Sequence, residues 1–283
     1  MKRRFIDLPQ GQLHAWDSAD RAGGVADNAP VFAHRSGAPL PLLMLHAAPG
    51  SARMLLPLAQ LLSERRRVVA IDLPGMGDSA AMPVAIDGYA STLWAALDSL
   101  SIGNCAIYGT LAGARVAVEM ARQNALRAPA LILDGVGVAN AEQTAELAQR
   151  YVPEFRIDWM GTQFHEVWHL VRDQYLFFPW YARDAAHRRA MDMPAPELLH
   201  IKALEVLKAL NRAGALLRAA LDYPLLERLT AIQAPVLASS ELRTLYPRAY
   251  PLRATGGEPL TASVENLSAR CAEIDAFLAT EAR

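Results

Sequence analysis

The chain has 283 residues, of which 52% are hydrophobic and 20% charged, enough for one large globular domain with a sizeable core. Its formal net charge is −1 and no basic stripe runs along it, so nucleic-acid binding has no electrostatic footprint. Two cysteines, Cys105 and Cys271, imply no disulfide framework, no apolar run is long enough to span a bilayer, and no secretory h-region follows the basic start; a cytoplasmic protein without a membrane partner is expected.

In chain order, Arg3 to Asp17 and Val31 to Arg35 are predicted as short edge strands. Leu40 to His46 is a continuous apolar strand, as in a sheet covered on both faces. Ala52 to Ser63 has helical spacing in Leu55, Leu58, Leu61 and Leu62. Arg67 to Asp72 is the next strand and Ile86 to Leu100 the next helix. The apolar run Asn104 to Tyr108 then leads into Gly109-Thr110-Leu111-Ala112-Gly113, and a helix follows from Ala114. Ala130 to Asp134 is a further strand. The alternation implies a mostly parallel α/β sheet flanked by helices. From about Asn140 to Arg228 only helical periodicity is present, as in an inserted lid. Pro235 to Ala238 and, more weakly, Ala249 to Ala254 return to strand, and Val264 to Ala279 closes as a helix.

Four segments in this order resemble the α/β-hydrolase superfamily of the capped, small-molecule type: His46-Ala47-Ala48-Pro49-Gly50, Asp72-Leu73-Pro74-Gly75-Met76-Gly77-Asp78-Ser79, Gly109 to Gly113, and Ile232 to Leu237. The resemblance implies an α/β-hydrolase core over residues 1–139 and 227–283 and a helical cap over 140–226. It also implies a Ser/His/Asp triad, which these residues do not supply. The nucleophile position is Leu111. No serine lies between Gly103 and Ala139, where Thr110 is the one aliphatic hydroxyl and Cys105 the one thiol. All seven histidines lie at or before His200, so the region of the family's base, matched by Ala254 to Glu258, holds none. The acid position falls on Thr244, with Glu241 close by and Asp134 as an alternative acid at the end of the preceding core strand. Glu258 is the nearest titratable group to the base's place. The triad is read as degenerate, and ordinary serine-hydrolase chemistry is not expected.

The oxyanion hole uses backbone N–H groups, here those of Ala112 and Ala47, and needs no particular side chain. His46, Ala47, Ala48, Leu111 and Ala112 are therefore the expected ligand contacts from the core. The cap carries His165-Glu166-Val167-Trp168-His169, whose i, i+4 imidazoles suit zinc, but only Glu197 offers a distant third ligand. No metal and no cofactor are assigned. His165 and His169 stand instead, with Glu258 and Asp134, as candidate acid–base groups. Ten of the chain's twenty aromatic residues lie between Tyr151 and Tyr181; most should build the cap's core, with Trp168, Tyr175 and Trp180 expected at the pocket. Arg172 and Asp173 are read as a surface pair in preference to the alternative of a buried pair shaping the pocket, and His46, Asp72 and Asp78 as turn-fixing residues.

These features point to a protein holding a small, largely apolar carbonyl compound between core and cap. A divergent non-hydrolytic enzyme of lyase, isomerase or cyclase type leads, followed by a non-catalytic pseudo-hydrolase and then by a hydrolase using a non-standard residue set. The partner is that small molecule, and a homodimer is left open.

Overall fold

A computed structural model describes residues 1–19, 39–80, 85–137, 139–151, 154–254 and 258–281. The strand expected over Val31 to Arg35 lies outside them. The sheet has eight strands: β1 (Lys2–Leu8), β2 (Gly11–Asp17), β3 (Leu42–Leu45), β4 (Val68–Ile71), β5 (Ala106–Thr110), β6 (Leu131–Asp134), β7 (Val236–Ala238) and β8 (Tyr250–Pro251). Their order is β1-β2-β4-β3-β5-β6-β7-β8. β1 and β2 pair antiparallel, β2 joins β4 antiparallel, and every later pairing is parallel. The four-residue strands β3, β4 and β6 are buried at every position, which is why their sequences are unbroken apolar runs.

Helices cover both faces. They are α1 (Leu56–Leu62), α2 (Ile86–Ser99), α3 (Ala112–Gln123), then a block between β6 and β7 made of α4 (Ala141–Arg150), α5 (Thr162–Leu176), α6 (Pro196–Ala209), α7 (Ala213–Asp222) and α8 (Leu225–Thr230), and finally α9 (Ser240–Leu245) and α10 (Val264–Glu281). One apolar cluster packs α2, α3, α7 and α8 on one face of the sheet; a second packs α1 and α10 on the other. A third is the cap's own core, built on α5 and α6 and sealed onto the main domain through Met54. α7 thus belongs by packing to the sheet layer, with Leu216 fully buried there, although it follows α6 in the insert. No helix among the described residues is long and apolar enough to cross a membrane.

Two features fix the segments at the carboxyl ends of the central strands. The first is a close backbone approach. A Cβ on Gly113 would lie 2.5 Å from the Leu45 carbonyl oxygen and 2.6 Å from that of His46, so the start of α3 rests directly on the end of β3. Gly109 is equally tight, with a Cβ position 2.6 Å from the Ala114 Cα. The second is a buried polar hub at Asp72. Its carboxylate accepts from the N–H of Ala52 at 2.8 Å, the N–H of Asp78 at 2.9 Å and His14 Nδ1 at 2.9 Å. Burial alone would raise the carboxyl, but His14, His46 and these N–H groups hold it below its ordinary value, so it stays ionised. Asp72 thereby ties the turn after β4, the segment after β3 and strand β2 together.

His46 completes the hub. It is fully buried; Nδ1 donates to the Ala47 carbonyl at 2.6 Å and Nε2 accepts from the Leu73 N–H at 2.9 Å. Both ring nitrogens are committed to the backbone, so His46 shapes its own loop rather than contacting a ligand. Burial lowers its pKa despite Asp72 nearby, which keeps the ring neutral.

Gly113→Ala is expected to lower the unfolding free energy by about 1–3 kcal/mol through overpacking against β3, measured by urea titration. An unchanged midpoint would show that the approach relaxes freely. Because the unfolded chain binds the His46 proton first, stability is full above about pH 6.5 and declines as pH falls below it. That acid-side slope should shrink in His46→Gln, compared by chemical denaturation from about pH 5 to 8.

Candidate ligand site at the elbow

β5 ends at Thr110 and α3 begins at Ala112, leaving one residue to reverse the chain. That residue is Leu111, with φ 49° and ψ −112°. A positive φ in a residue with a branched side chain is strained, on the order of 1–3 kcal/mol. The strain is held by the crowding at Gly109 and Gly113. The turn lifts the Leu111 side chain out of the core, leaving it 45% exposed although its strand is central in the sheet. Ala112 is the first helical residue, so its N–H has no partner within α3. The next residue, Gly113, rests against the His46 carbonyl, and His46 is followed by Ala47, which is half-buried, and Ala48, which is buried. The elbow thus presents an apolar side chain and a helix-start N–H at the carboxyl ends of the parallel strands, the side on which open α/β sheets take ligands.

The expected titratable groups do not converge on this floor. Asp134, at the end of β6, is buried and accepts from the Tyr108 hydroxyl at 2.6 Å and from Arg270 Nη1 at 2.8 Å. Burial raises its carboxyl even so. Its partners come from the sheet and from α10, and it belongs to an internal ion-pair network. His165 and His169 lie on the exposed side of α5, where His169 Nδ1 meets Arg172 at 3.0 Å. The i, i+4 spacing does put them on one face, but that face is turned to solvent because Val167, Leu170 and Val171 take the opposite one into the cap core. Neither histidine is placed to serve as a pocket base. Thr244 and Glu241 are exposed on α9, a short helix where an acid-bearing loop is expected, and Thr244 Oγ1 donates to the Ser240 carbonyl.

Glu258 is placed differently. Its carboxylate pairs with Lys202 of α6 at 3.0 Å, and both side chains are almost entirely shielded. Lys202 also donates to Gln174 at 3.1 Å and to the Tyr175 hydroxyl at 3.3 Å. Desolvation would lower the ammonium, yet Glu258 and Tyr175 hold it above its ordinary value, so it remains charged. All three of its donors are used. Two more pairs continue along α6: Glu205 with Arg53 at 3.7 Å, and Lys208 with Asp78 at 3.0 Å. One helix face therefore reaches the segments after β8, β3 and β4. Lys202, which the sequence gives no reason to single out, is the residue that joins the cap to Glu258.

The cap aromatics divide. Tyr175 is buried, Trp168 and Trp180 pack half-buried against the cap core, and Trp180 Nε1 donates to the Tyr151 carbonyl at 2.9 Å. Trp159 and Phe164 are exposed. Asp173 corrects the expectation of a surface pair: it is buried and bridged by Arg172 at 2.7 Å and Arg183 at 2.9 Å. His14, Asp72 and Asp78 bring three ligand-type atoms within 4.8 Å of one another. Arg3 donates to His14 Nε2 at 3.0 Å and to Asp78 at 2.5 Å, and Lys208 pairs with Asp78, so the cluster is a salt-bridge network.

Residues 41–175 match the sequence family described as alpha/beta hydrolase fold. No curated protein sequence matches the chain. Among solved structures it is similar to a thermophilic esterase from Thermogutta terrifontis, at 18% identity over all of both chains with a TM-score of 0.65. It is also similar to the enol-lactonase from Burkholderia xenovorans LB400, at 15% identity over 98% of this chain and 100% of that one, TM-score 0.68. An N-acyl homoserine lactonase gives 15% identity over 99% and 98%, TM-score 0.67. With its strand order, its strained elbow between Gly109 and Gly113 and these neighbours, the chain has the α/β-hydrolase fold with an inserted helical cap.

Proposed function

We propose that this protein holds a small, largely apolar carbonyl compound over Leu111, with the carbonyl oxygen on the N–H groups of Ala47 and Ala112, and that the triad is degenerate. The observation that carries this is Leu111 itself, a side chain with no lone pair at the apex of a strained elbow. Its surroundings support it: Asp134 is bonded to Tyr108 and Arg270, His46 is committed to the backbone, and no histidine follows His200. Nucleophilic catalysis needs an attacking group and a base within hydrogen-bond reach of each other, and Leu111 supplies no attacking group at the elbow. Backbone donors still stabilise a carbonyl, enolate or carboxylate oxygen. Non-covalent binding, as in a pseudo-hydrolase, is the function this geometry supports best.

One observation favours catalysis as well. Lys202, Glu258 and Tyr175 form a buried titratable cluster where cap meets core. A non-hydrolytic lyase, isomerase or cyclase would draw its acid and base from them. Hydrolysis draws support from the neighbours, which are named as an esterase and lactonases, and would require Glu258 to activate a water.

A fluorophosphonate probe should leave the protein unlabelled, and Leu111→Ser should form no acyl-enzyme, both read by intact mass spectrometry. Stoichiometric adduct on either protein would sink the proposal. Turnover of an aryl ester that Glu258→Gln abolishes would favour the hydrolytic route instead.

A further inference from the structure

Arg115 is the fourth residue of α3, one turn beyond Leu111. Its Nη1 donates to the Leu111 carbonyl at 2.9 Å and its Nη2 to the Gly137 carbonyl at 2.9 Å. The guanidinium thus bridges the elbow and the loop after β6, at the carboxyl ends of two neighbouring central strands. Other arginines in similar settings meet carboxylates: Arg66 with Asp275, Arg67 with Asp17, Arg270 with Asp134. Among the described residues, no carboxylate pairs with Arg115. Burial alone pulls its guanidinium down to about 10, with no neighbouring charge offsetting the desolvation. The residue is only half-buried, so the guanidinium is reachable from solvent.

A guanidinium held in place by two neutral carbonyls and reachable from solvent is pre-set to meet an anion. The two carbonyls are neutral and take two of the five N–H donors of the guanidinium. The remaining donors offer the planar fork that matches a carboxylate. Ala112 and Arg115 are three residues apart on α3 and share one helix face, so one small molecule can meet both.

We propose that Arg115 recognises a carboxylate on the bound compound, so that the ligand held over Leu111 is a small apolar oxo- or acyl-carboxylic acid. This rests on the carbonyl-binding function above and narrows it to a chemical class. A single guanidinium is the one side-chain cation bonded to the elbow and to Gly137 among the described residues, which matches a monoanion.

The test is calorimetric titration of the full chain with benzoate against benzamide, and with acetate against acetamide as a smaller pair. The carboxylates should bind at least about tenfold more tightly than the amides, a difference typical of a charge-assisted pair. Arg115→Met should lose that preference while circular dichroism stays unchanged, and Arg115→Lys should keep part of it. Should Arg115→Met fail to fold, the carboxylate-to-amide ratio of the native protein and of Arg115→Lys carries the test. Equal binding of each pair, no binding of either carboxylate, or a preference unaltered by Arg115→Met overturns the assignment. Equal binding of benzoate and benzamide leaves the neutral-carbonyl site standing, whereas fluorophosphonate labelling removes the Leu111 argument without touching Arg115.

Discussion

The contact on which this site depends is between two stretches of backbone. Gly113 brings the start of α3 against the carbonyls of Leu45 and His46, so close that no Cβ fits between them. The approach sets the distance between β3 and α3 and leaves Leu111 a single residue in which to turn. It also sets the start of α3 against the carbonyl of His46, one residue before Ala47. Nothing in this arrangement requires a nucleophile. The elbow is a consequence of backbone packing, and the identity of its central side chain is a separate matter. Asp72 supports the same loop from below through Ala52, and His46 through Leu73. Two buried polar residues thus fix a site to which they contribute no exposed group.

The cap is held by charge as well as by apolar packing. Lys202, Glu205 and Lys208 lie at i, i+3 and i+6 on α6 and meet partners on three different core segments. Such pairs add little net stability: desolvation offsets most of the attraction in the buried Lys202–Glu258 pair, and solvent screens the more exposed Arg53 and Lys208 pairs. What they do impose is registry. A cap shifted against the core by one turn of α6 would break the pairs to Glu258, Arg53 and Asp78 together, and the loss of Glu258 would leave the buried Lys202 ammonium without its carboxylate. Met54 adds the apolar anchor from the core side. The same pairing occupies Glu258, which accounts for a titratable residue near the expected base position serving as a structural partner.

Much of the fold was readable before any coordinates. Unbroken apolar strands announced a covered parallel sheet, and the glycines of Gly109 to Gly113 marked a turn too tight for side chains. The absence of histidine beyond His200 needed only counting. Other features had no local signal. Asp134 and Arg270 are 136 residues apart, and no periodicity links them. The spacing of His165 and His169 fixes that they share a face but not which way it points; the neighbouring Val167, Leu170 and Val171 decide that by taking the buried side. Asp173 looked like half of a surface pair because Arg183, its second partner, lies ten residues on beyond a turn. α7 is helical by pattern, yet only the packing shows that it joins α2 and α3 rather than α5 and α6.

Leu111 poses a sharper physical question than its missing lone pair. A leucine at φ 49° is strained, and a glycine would adopt that backbone without a Cβ penalty. If the turn served folding alone, glycine would be the less strained residue. Leucine instead keeps the strain and leaves 45% of a large apolar side chain exposed. Exposed apolar surface gains stability when something covers it. Under the carbonyl-binding function proposed above, the side chain is a surface rather than a reagent: a leucine at the apex of the elbow gives a ligand an apolar floor beside the first N–H groups of α3.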